Sequence, residues 1–510
     1  MTINIHPLDA LQACATNTAE KVVMACGERT WTAVDLLRDA NRLAAGMVLR
    51  GVRPADRIAI HMLNIAETVI SYLACFRLGV IAVPFNARFK TEELRYWVER
   101  TKPALYLGQT ELYPFFADVP EDLIANSARY IVGMDSAANG GRPWSELFLA
   151  DNNVRSEFAN VSPDAAALLL STSGTTGRSK LVIWTHRILS SFGSCAPGRG
   201  MNAGDVLPLS TPLMHGSGVY YMTSAFTQSA TIVLVPRFDP DVMLDAIEKY
   251  RCNMTFGLPF MCAALARRQD ERPRDVTSLR TCAVAGDSCP PEVERSFEIH
   301  LGKPLLSFWA ATEDVGATIL GSRVGPYFRL NSTAEIRIVD DDGVDVADGE
   351  TGEMLLRSST TVPGYWENPG EINRLPNGIF YSGDLVRKVG DREFQCMGRK
   401  KDLIIRGGSN ISPAEVEAVL QDLPEIREAA VSGLPDEEWG QRVGALLVLE
   451  PGVIPESVPT ILMAAKPRLA DYKLPEAIAV TDHIPRNTLT KIDRNAVTAA
   501  IVAQNGLRSL

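Results

Sequence analysis

The chain has 510 residues, which is too long for one ordinary hydrophobic core, so we expect two or more domains. Hydrophobic residues make up 46% and charged residues 22% of the chain, as is typical of a soluble globular protein. The formal net charge of -10 argues against a nucleic-acid-binding protein, whose binding surface is usually basic. Small anionic substrates stay open, because an acidic protein can still contain a local basic pocket.

The cysteines and the apolar segments predict a cytoplasmic protein. Nine cysteines are scattered singly, without a CxxC pair or a His/Cys cluster, which favours reduced thiols over disulfides. The first residues show no basic segment followed by an apolar stretch, so we expect no signal peptide. The most apolar long region, residues 57–86, is interrupted by Asn64, Glu67 and Arg77. That pattern favours a buried helix and strand over a membrane span.

Strand-like and helix-like patterns alternate through the first two thirds of the chain. Runs such as IAIHML, VIAVPF and LVIW, separated by amphipathic segments, predict an α/β architecture with mostly parallel sheets. From about residue 334 the segment AEIRIVDDDGVDVADGETGEMLLRS predicts a β-rich hairpin region. Its aspartates between Asp340 and Asp348 lack the spacing of a calcium-binding loop, so we expect a solvated turn.

A second change of pattern near residue 402 predicts a domain boundary. A basic, polar joint in GRKKDLIIRGGSNISPAEVE leads to a strand, a glycine pair and a helix. Ser412, Pro413 and Glu415 have the spacing of an N-cap, a first helical residue and a capping-box acid. We therefore expect a large N-terminal domain over residues 1–401 and a small α/β domain over residues 402–510.

The segment LLLSTSGTTGRSK, residues 168–180, is a candidate phosphate-binding loop. It is not a Walker loop, because Arg178 and Ser179 separate Gly177 from Lys180. The following LVIWTH predicts a strand, so the loop is expected to be a turn between two strands. Its backbone amides, hydroxyls and lysine can wrap phosphate oxygens. The alternative is a polar hairpin turn without a ligand.

Read together with the rest of the chain, STSGTTGRSK resembles the signature loop of the adenylate-forming (ANL) superfamily. That superfamily includes acyl-CoA and aryl-CoA synthetases, luciferases and the adenylation domains of peptide synthetases. Four further segments resemble its motifs and follow in the same order: WAATE (309–313), YSGDL (381–385), GRKKDLIIRGGSNISPAEVE (398–417) and PRNTLTKIDR (485–494). By this resemblance the chain is identified as a member of the acyl-CoA or aryl-CoA synthetase type.

The resemblance implies an ATP-dependent ligase with Mg²⁺ as cofactor and coenzyme A as co-substrate. A carboxylate attacks the α-phosphorus of ATP to give an acyl-adenylate and pyrophosphate, and the CoA thiolate then displaces AMP. Both reactants of the first step are anions, so the enzyme must neutralise charge and hold them in line. The small C-terminal domain is implied to be mobile, with its hinge at Asp402.

The resemblance also implies a set of nucleotide-binding residues. They are Thr172, Ser173, Gly174, Thr175, Thr176, Gly177, Lys180, Trp309, Asp384 and Arg399. Trp309 is expected to stack on adenine, Asp384 to accept both ribose hydroxyls, and Arg399 to contact ribose or phosphate.

Four residues are implied in the chemistry itself. Glu313 is expected to bind magnesium, which prefers one or two carboxylates plus phosphate oxygens. Thr312 would contact phosphate, and Lys491 would bridge the carboxylate, the α-phosphate and the ribose as a point charge. His215 in PLMHGSGVYY would gate the acyl site; a purely structural histidine is the alternative.

The resemblance also implies residues for the acyl pocket and the CoA site, from their positions relative to the motifs. The implied acyl pocket consists of His215, Gly216, Ser217, Gly257, Leu258, Ala285, Gly286, Ala310 and Val315. Most are small, which leaves room for a medium or bulky acid. The implied CoA site consists of Gly407, Gly408, Trp439 and Tyr472. The chain departs from the usual family pattern at Ser179, Ala310, Thr490 and Leu474.

Three alternatives to a CoA ligase stay open at this point. The chain could load a carrier protein, act as a luciferase-like monooxygenase, or bind a nucleotide without catalysis. The residues leave open which acid is activated and whether the protein is a monomer or a homodimer. We expect no nucleic-acid partner and no membrane span.

Overall fold

The structure is a computed structural model of the chain. It describes residues 4–148, 161–172, 180–286, 289–406, 409–436, 439–487 and 491–505. Within these ranges, no helix combines the length and the apolarity that crossing a bilayer requires. All nine cysteines are among the described residues and six of them are buried, which agrees with the prediction of mostly packed thiols.

The described residues form thirteen α-helices. In chain order they are α1 (Pro7–Asn17), α2 (Ala33–Leu49), α3 (Ala66–Leu78), α4 (Thr91–Thr101), α5 (Pro114–Ala117), α6 (His186–Cys195), α7 (Gly216–Thr227), α8 (Pro240–Tyr250), α9 (Pro259–Glu271), α10 (Pro291–Leu301), α11 (Pro413–Gln421), α12 (Val458–Leu462) and α13 (Arg494–Asn505).

The strands of the same ranges are more numerous and mostly short. Those before residue 260 are β1 (Val22–Cys26), β2 (Arg29–Thr32), β3 (Arg57–His61), β4 (Ile81–Pro84), β5 (Leu105–Gln109), β6 (Arg129–Val132), β7 (Arg142–Pro143), β8 (Ala166–Thr172), β9 (Lys180–Thr185), β10 (Val206–Leu209), β11 (Thr231–Leu234) and β12 (Met254–Gly257). Those that follow are β13 (Thr281–Val284), β14 (Leu305–Ser307), β15 (Thr318–Leu320), β16 (Tyr327–Leu330), β17 (Glu335–Val339), β18 (Thr351–Arg357), β19 (Gly364–Asn368), β20 (Glu371–Arg374), β21 (Phe380–Gly390), β22 (Glu393–Arg399), β23 (Ile404–Arg406), β24 (Ser409–Ile411), β25 (Ile426–Asp436), β26 (Gly440–Leu449) and β27 (Ala477–Val480).

Three sheets with parallel pairing make up most of the first part of the chain. The largest runs β20-β19-β9-β8-β4-β3-β5-β6-β7, and its segment from β8 to β7 is parallel. A second runs β10-β11-β1-β2 and a third, fully parallel, runs β12-β13-β14. These sheets confirm the α/β class that the alternating pattern predicts.

The β-rich region and the C-terminal segment form separate sheets. The order β15-β16-β22-β21-β18-β17 is antiparallel throughout, and β17 and β18 flank the acidic turn as predicted. The C-terminal sheet runs β24-β23-β26-β25, with β27 parallel to β26. The predicted capping box of α11 is wrong: the Ser412 hydroxyl makes no cap and donates to the Met397 carbonyl at 2.6 Å. The Ser412 hydroxyl thus bonds to β22 instead of to the first turn of its own helix.

The central sheet is apolar on both faces. Along β8, Leu168 and Leu170 face one core, whereas Leu169 faces the other. Successive strand residues point to opposite faces, so a strand covered on both sides reads as a continuous apolar run. Helices α2, α3 and α7 cover one face, and α4 and α5 cover the other. This packing leaves the carboxyl ends of the strands as the place for a binding site.

Several histidines are held neutral inside the fold. His61 at the end of β3 is fully buried and its Nδ1 lies 2.8 Å from the Tyr106 hydroxyl. Burial lowers the pKa of His61 from 6.5 to about 4. His6 and His186 contact each other at 3.1 Å, and burial lowers the pKa of both to about 4.

We therefore expect the free energy of unfolding to fall as the pH falls from 6.5 towards 4. In that window the unfolded chain binds protons at these histidines while the folded chain does not, so acid favours unfolding. The fully buried His61 alone accounts for up to about 3 kcal/mol of the loss. Urea unfolding of His61→Gln between pH 5 and 6.5 should show a shallower pH slope than the unsubstituted chain. The exposed His483→Gln serves as control, and an equal slope in all three proteins contradicts the prediction.

Candidate functional site

The candidate phosphate loop connects two paired strands. Thr172 ends β8, Lys180 begins β9, and the two residues are register partners across the antiparallel pair. This confirms the predicted strand on each side of the loop. The Lys180 ammonium lies 4.5 Å from the centre of the Tyr365 ring. Five residues implied in nucleotide binding lie outside the described residues: Ser173, Gly174, Thr175, Thr176 and Gly177.

Three of the implied nucleotide-binding residues meet in one hydrogen-bonded cluster. The indole Nε1 of Trp309 donates to Oδ2 of Asp384 at 2.8 Å. The guanidinium Nε of Arg399 lies 3.0 Å from the other carboxylate oxygen of Asp384. Asp384 and Arg399 are register partners on β21 and β22, so the antiparallel pairing itself sets them side by side.

The segment 309–315, which contains the WAATE motif, is anchored by the buried Asp314. Its carboxylate accepts hydrogen bonds from the hydroxyls of Ser358, Thr360 and Thr361, at 2.7, 2.6 and 2.6 Å. Burial raises the pKa of Asp314, and the three hydroxyl donors oppose that rise. Asp314 thus ties this segment to the loop before β19.

Glu313, the implied metal ligand, is held by two hydrogen bonds and experiences the charges of two cations. Its carboxylate accepts from the Tyr365 hydroxyl at 3.2 Å, and its carbonyl accepts from the Val362 amide at 3.0 Å. Burial raises the pKa of Glu313, while the charges of Lys180 and Arg399 lower it. A carboxylate that is largely withdrawn from water beside cations is a suitable partner for a further cation or for phosphate-bound metal.

Thr312 lies against the start of α7. Its carbonyl accepts a hydrogen bond from Trp184 Nε1 at 2.8 Å. A Cβ atom at Gly216 would lie 3.1 Å from the Trp184 ring and 3.7 Å from the Thr312 methyl group. Gly216 therefore lets the first turn of α7 approach the WAATE segment closely.

The loop that carries His215 is fixed by two buried polar side chains of the α3 region. The Asn64 amide donates to the carbonyls of Leu209 and Thr211, at 3.2 and 2.9 Å, and accepts from the Leu213 amide at 2.8 Å. The Tyr72 hydroxyl donates to the Leu213 carbonyl at 2.6 Å. These bonds set the direction in which the chain enters α7.

The pKa of His215 is lowered by burial and by positive charges from two distant parts of the chain. Burial lowers its pKa from 6.5 to about 4, with smaller contributions from the charges of Arg88 and Lys491. The Lys491 backbone is held by a reciprocal pair of bonds, from its amide to Asn487 Oδ1 at 3.1 Å and from the Asn487 amide to its carbonyl at 2.8 Å. The charge of Lys491, in the C-terminal motif, thus acts on His215 of the implied acyl site.

The opposite wall of the implied acyl pocket follows the ends of β12 and β13. The Ala285 amide donates to the Gly257 carbonyl at 3.3 Å, which holds the two strand ends together. Gly286 has a φ of +93°, and a Cβ atom there would come within 2.7 Å of the Leu258 side chain. Ala310 and Val315 belong to the segment anchored by Asp314, and Ser217 is the second residue of α7.

Two of the implied CoA residues, Trp439 and Tyr472, are exposed on the C-terminal part of the chain. Trp439 is 42% exposed, and the Arg406 guanidinium lies 5.0 Å from its ring centre. Tyr472 is 40% exposed in a 3₁₀ turn. Asp402 ends the short turn between β22 and β23. Gly407 and Gly408 lie outside the described residues.

Sequence reasoning missed four residues that shape this site. Arg88 and Tyr365 carry no motif signal, and Asp314 offers none beyond its place next to Glu313. Asn64 did carry a signal, since it interrupts the most apolar region of the chain. A polar side chain in an apolar run is expected to have buried hydrogen-bond partners.

The motifs agree with comparisons to known proteins. The chain matches the AMP-binding enzyme family over residues 11–366 and the AMP-binding enzyme C-terminal domain over residues 415–491. It is 30% identical to the indoleacetate–CoA ligase of Aromatoleum aromaticum, covering 92% of this chain and 93% of the relative. It is 31% identical to the medium-chain fatty-acid–CoA ligase of Escherichia coli, covering 91% and 84%.

A solved structure is similar in fold over the whole length. It is the anthranilate–CoA ligase in complex with anthranoyl-AMP, with a TM-score of 0.88, 23% identity and 99% of each chain covered. Together with the family match, which spans most of the chain, this confirms the resemblance that the five motifs carry. The chain belongs to the AMP-binding enzyme family, the adenylate-forming superfamily of acyl- and aryl-CoA synthetases.

Proposed function

We propose that the chain is a cytoplasmic ATP- and Mg²⁺-dependent acyl- or aryl-CoA ligase. It activates a carboxylic acid as acyl-AMP and then transfers the acyl group to coenzyme A. The observation that carries the proposal is the hydrogen-bonded cluster of Trp309, Asp384 and Arg399, which joins one residue from each of three motifs implied in nucleotide binding. The two relatives named above are CoA ligases, which supports the same reaction.

The first half-reaction needs positive charge, because a carboxylate attacks a triphosphate. Lys180 and Arg399 both lie close enough to Glu313 to lower its pKa, so cations from β9 and β22 converge on one carboxylate. Lys491 adds a third cation from the acyl side. Charges fixed by the fold stabilise the developing charge of the transition state without reorganisation. Lys491 would contact the reacting carboxylate and the α-phosphate.

The nucleotide would be oriented by the cluster around Asp384. Trp309 offers an indole face to adenine, and Asp384 offers two carboxylate oxygens to the ribose hydroxyls. In the described structure those oxygens are engaged by Trp309 and Arg399. The hydrogen bonds therefore orient the Asp384 side chain before the nucleotide arrives.

The residues present fit a magnesium ion held mainly by substrate. Among the described residues, no group of three or more His, Cys, Asp or Glu side chains is arranged to hold a metal ion. Mg²⁺ is commonly held by one or two carboxylates plus substrate phosphates. Glu313 would supply the carboxylate, and the bound ion would neutralise phosphate charge.

His215 would act as a neutral side chain at the acyl site. Its pKa of about 4 keeps the imidazole uncharged at neutral pH. A neutral ring beside Lys491 can swing or stack without bringing a second positive charge. This fits a gating role between the acyl pocket and the reacting atoms.

The second half-reaction would use the exposed face of the C-terminal domain, residues 402–510. A swing about Asp402 would replace Lys491 by the segment around residues 407–411 at the acyl-adenylate. Arg406 over the Trp439 ring offers a cation and an aromatic face to a nucleotide-containing thiol.

Pyrophosphate release from ATP tests the proposed function directly. The panel holds aromatic, alicyclic and straight-chain acids, each with and without CoA, and the products are identified by mass. We expect acid-dependent pyrophosphate release together with a CoA thioester. Pyrophosphate without a thioester would point to a carrier-protein acceptor, and no release with any acid would contradict the proposal.

Lys491→Ala should lower acyl-adenylate formation by about 100-fold or more, because the transition state loses a preorganised cation. Thioester formation from supplied acyl-AMP should be largely retained, since Lys491 leaves the site in that step. Single-turnover assays of the two half-reactions provide the measurement, with the exposed Lys466→Ala as control. An equal loss in both half-reactions would overturn the two-conformation assignment.

Trp439→Ala should raise the KM for CoA by about fivefold and leave the KM for ATP unchanged. The physical reason is the loss of an exposed aromatic face with a cation next to it. Steady-state kinetics of thioester formation provides the measurement. Trp439→Phe keeps an aromatic ring and should show a smaller effect. An unchanged KM for CoA in Trp439→Ala removes this residue from the CoA site.

A further inference from the structure

A buried aromatic cluster lies behind the implied acyl pocket. The rings of Tyr220 and Tyr221 meet edge to face at 5.3 Å, and Tyr221 stacks on Phe256 at 4.6 Å. Phe256 contacts Phe308 at 5.8 Å. We call these four residues together with Arg199 the end wall.

The end wall is continuous with the residues implied in acyl binding. Tyr221 is one helical turn after Ser217, so the two share a face of α7. Phe256 directly precedes Gly257 on β12. The Arg199 guanidinium donates through Nη2 to the carbonyl of Val315. Three different stretches of the pocket thus lead to the same wall.

Arg199 brings an unneutralised charge into this wall. It is 1% exposed, and its guanidinium carbon lies 4.1 Å from the Phe308 ring centre and 4.6 Å from that of Tyr220. No carboxylate in the described part of the chain lies within ion-pair distance of it. Asp314, a buried carboxylate of the segment that contains Val315, is engaged by three hydroxyl donors. Arginine is rarely buried without a partner, because desolvating a charge is costly.

Tyr221 adds an unused hydrogen-bond donor next to that charge. Its side chain is fully buried, and its hydroxyl has no hydrogen-bond partner among the described residues. Burial raises the pKa of Tyr221, so the phenol stays protonated and can donate. Buried polar groups normally have partners, and an orphan hydroxyl beside a binding site indicates a missing acceptor.

A second buried arginine shows what a purely structural arrangement looks like. Arg129 is also 1% exposed, but its three guanidinium nitrogens donate to the carbonyls of Ala117, Val119 and Ile124. Only Nε and Nη2 of Arg199 donate to carbonyls, those of Thr318 and Val315. The rings of Tyr220 and Phe308 lie against the same guanidinium group.

We propose that the end wall recognises an oxygen acceptor at the end of the acid that is remote from its reacting carboxylate. The inference rests on the proposed function and narrows its substrate to a ring acid that carries a hydroxyl, carbonyl or second carboxylate group. Aromatic faces suit the ring, and the Tyr221 hydroxyl and the Arg199 charge suit the oxygen.

The length of the site is consistent with a single ring. Tyr221 follows Gly216 by five residues, which corresponds to about 7.5 Å along a helix. A benzene ring with one substituent opposite its carboxylate spans a comparable distance. A long unbranched chain would instead place methylene groups against Arg199 and leave the donors unpaired.

Binding of stable acyl-adenylate mimics tests the inference without requiring turnover. The probes are N-acyl sulfamoyladenosines with benzoyl, 3- and 4-hydroxybenzoyl, and 3- and 4-carboxybenzoyl groups, titrated calorimetrically into the full chain. We expect at least one oxygen-bearing probe to bind about tenfold tighter than the benzoyl probe, the gain typical of a hydrogen bond. Tighter binding of the hydroxybenzoyl probes would identify the acceptor as a hydroxyl oxygen, and tighter binding of the carboxybenzoyl probes would identify it as a carboxylate oxygen.

Tyr221→Phe removes only the donor and keeps the ring that stacks on Phe256. It should abolish the gain for a hydroxyl probe while leaving benzoyl binding unchanged. Tyr130→Phe is the matched control, because Tyr130 is equally buried with an unpartnered hydroxyl but lies on β6. Arg199→Gln should abolish the gain for a carboxylate probe.

The possible failures are distinguishable. If all the probes bind equally and tighter than AMP, the adenylate site stands and the end-wall inference is wrong. The same holds if the benzoyl probe binds tightest, or if Tyr221→Phe and Arg199→Gln keep the full preference. If no probe binds better than AMP, both the inference and the proposed function fail.

Discussion

The three hydrogen bonds received by the buried Asp314 carboxylate support the rest of the candidate site. They tie the segment 309–315 to the loop before β19, and this segment faces four neighbours in turn. Four of its residues make a hydrogen bond to another part of the chain. The pairs are Trp309 with Asp384, Thr312 with Trp184, Glu313 with Tyr365, and Val315 with Arg199. One anchored segment therefore touches the proposed nucleotide, metal and acyl regions at once. A buried carboxylate is stable there because every hydroxyl that surrounds it donates.

Around that segment the fold gathers charge from elements far apart in the chain. Lys180 on β9 and Arg399 on β22 lower the pKa of Glu313, and Arg399 also pairs with Asp384. Lys491, in the segment before α13, lowers the pKa of His215. This arrangement suits a reaction between two anions, in which fixed positive charge lowers the barrier. It also explains how a chain with a net charge of -10 can present a locally basic site.

The acyl side follows a different physical rule. Most residues of the implied acyl pocket are glycines or apolar residues whose lack of bulk would admit a substrate, and Gly286 tolerates a backbone conformation that other residues adopt rarely. Selectivity in such a pocket comes from a few polar groups, because apolar contact alone discriminates weakly. In the proposed end wall Tyr221 and Arg199 are those groups.

The sequence by itself determined the fold class, the family and most of the chemistry. Strand alternation, the glycine- and hydroxyl-rich loop and the WAATE and YSGDL segments are local patterns, and local backbone geometry follows from residues near in sequence. The capping box at Ser412 was predicted by the same local logic and is wrong, because a contact with Met397 competes for the hydroxyl. Only the tertiary structure decided which side chains meet across the fold. The Asn64 bonds to the loop before α7 and the Arg199 contact with Val315 join residues more than one hundred positions apart. No spacing rule relates such residues, since packing of helices and sheets determines their distance.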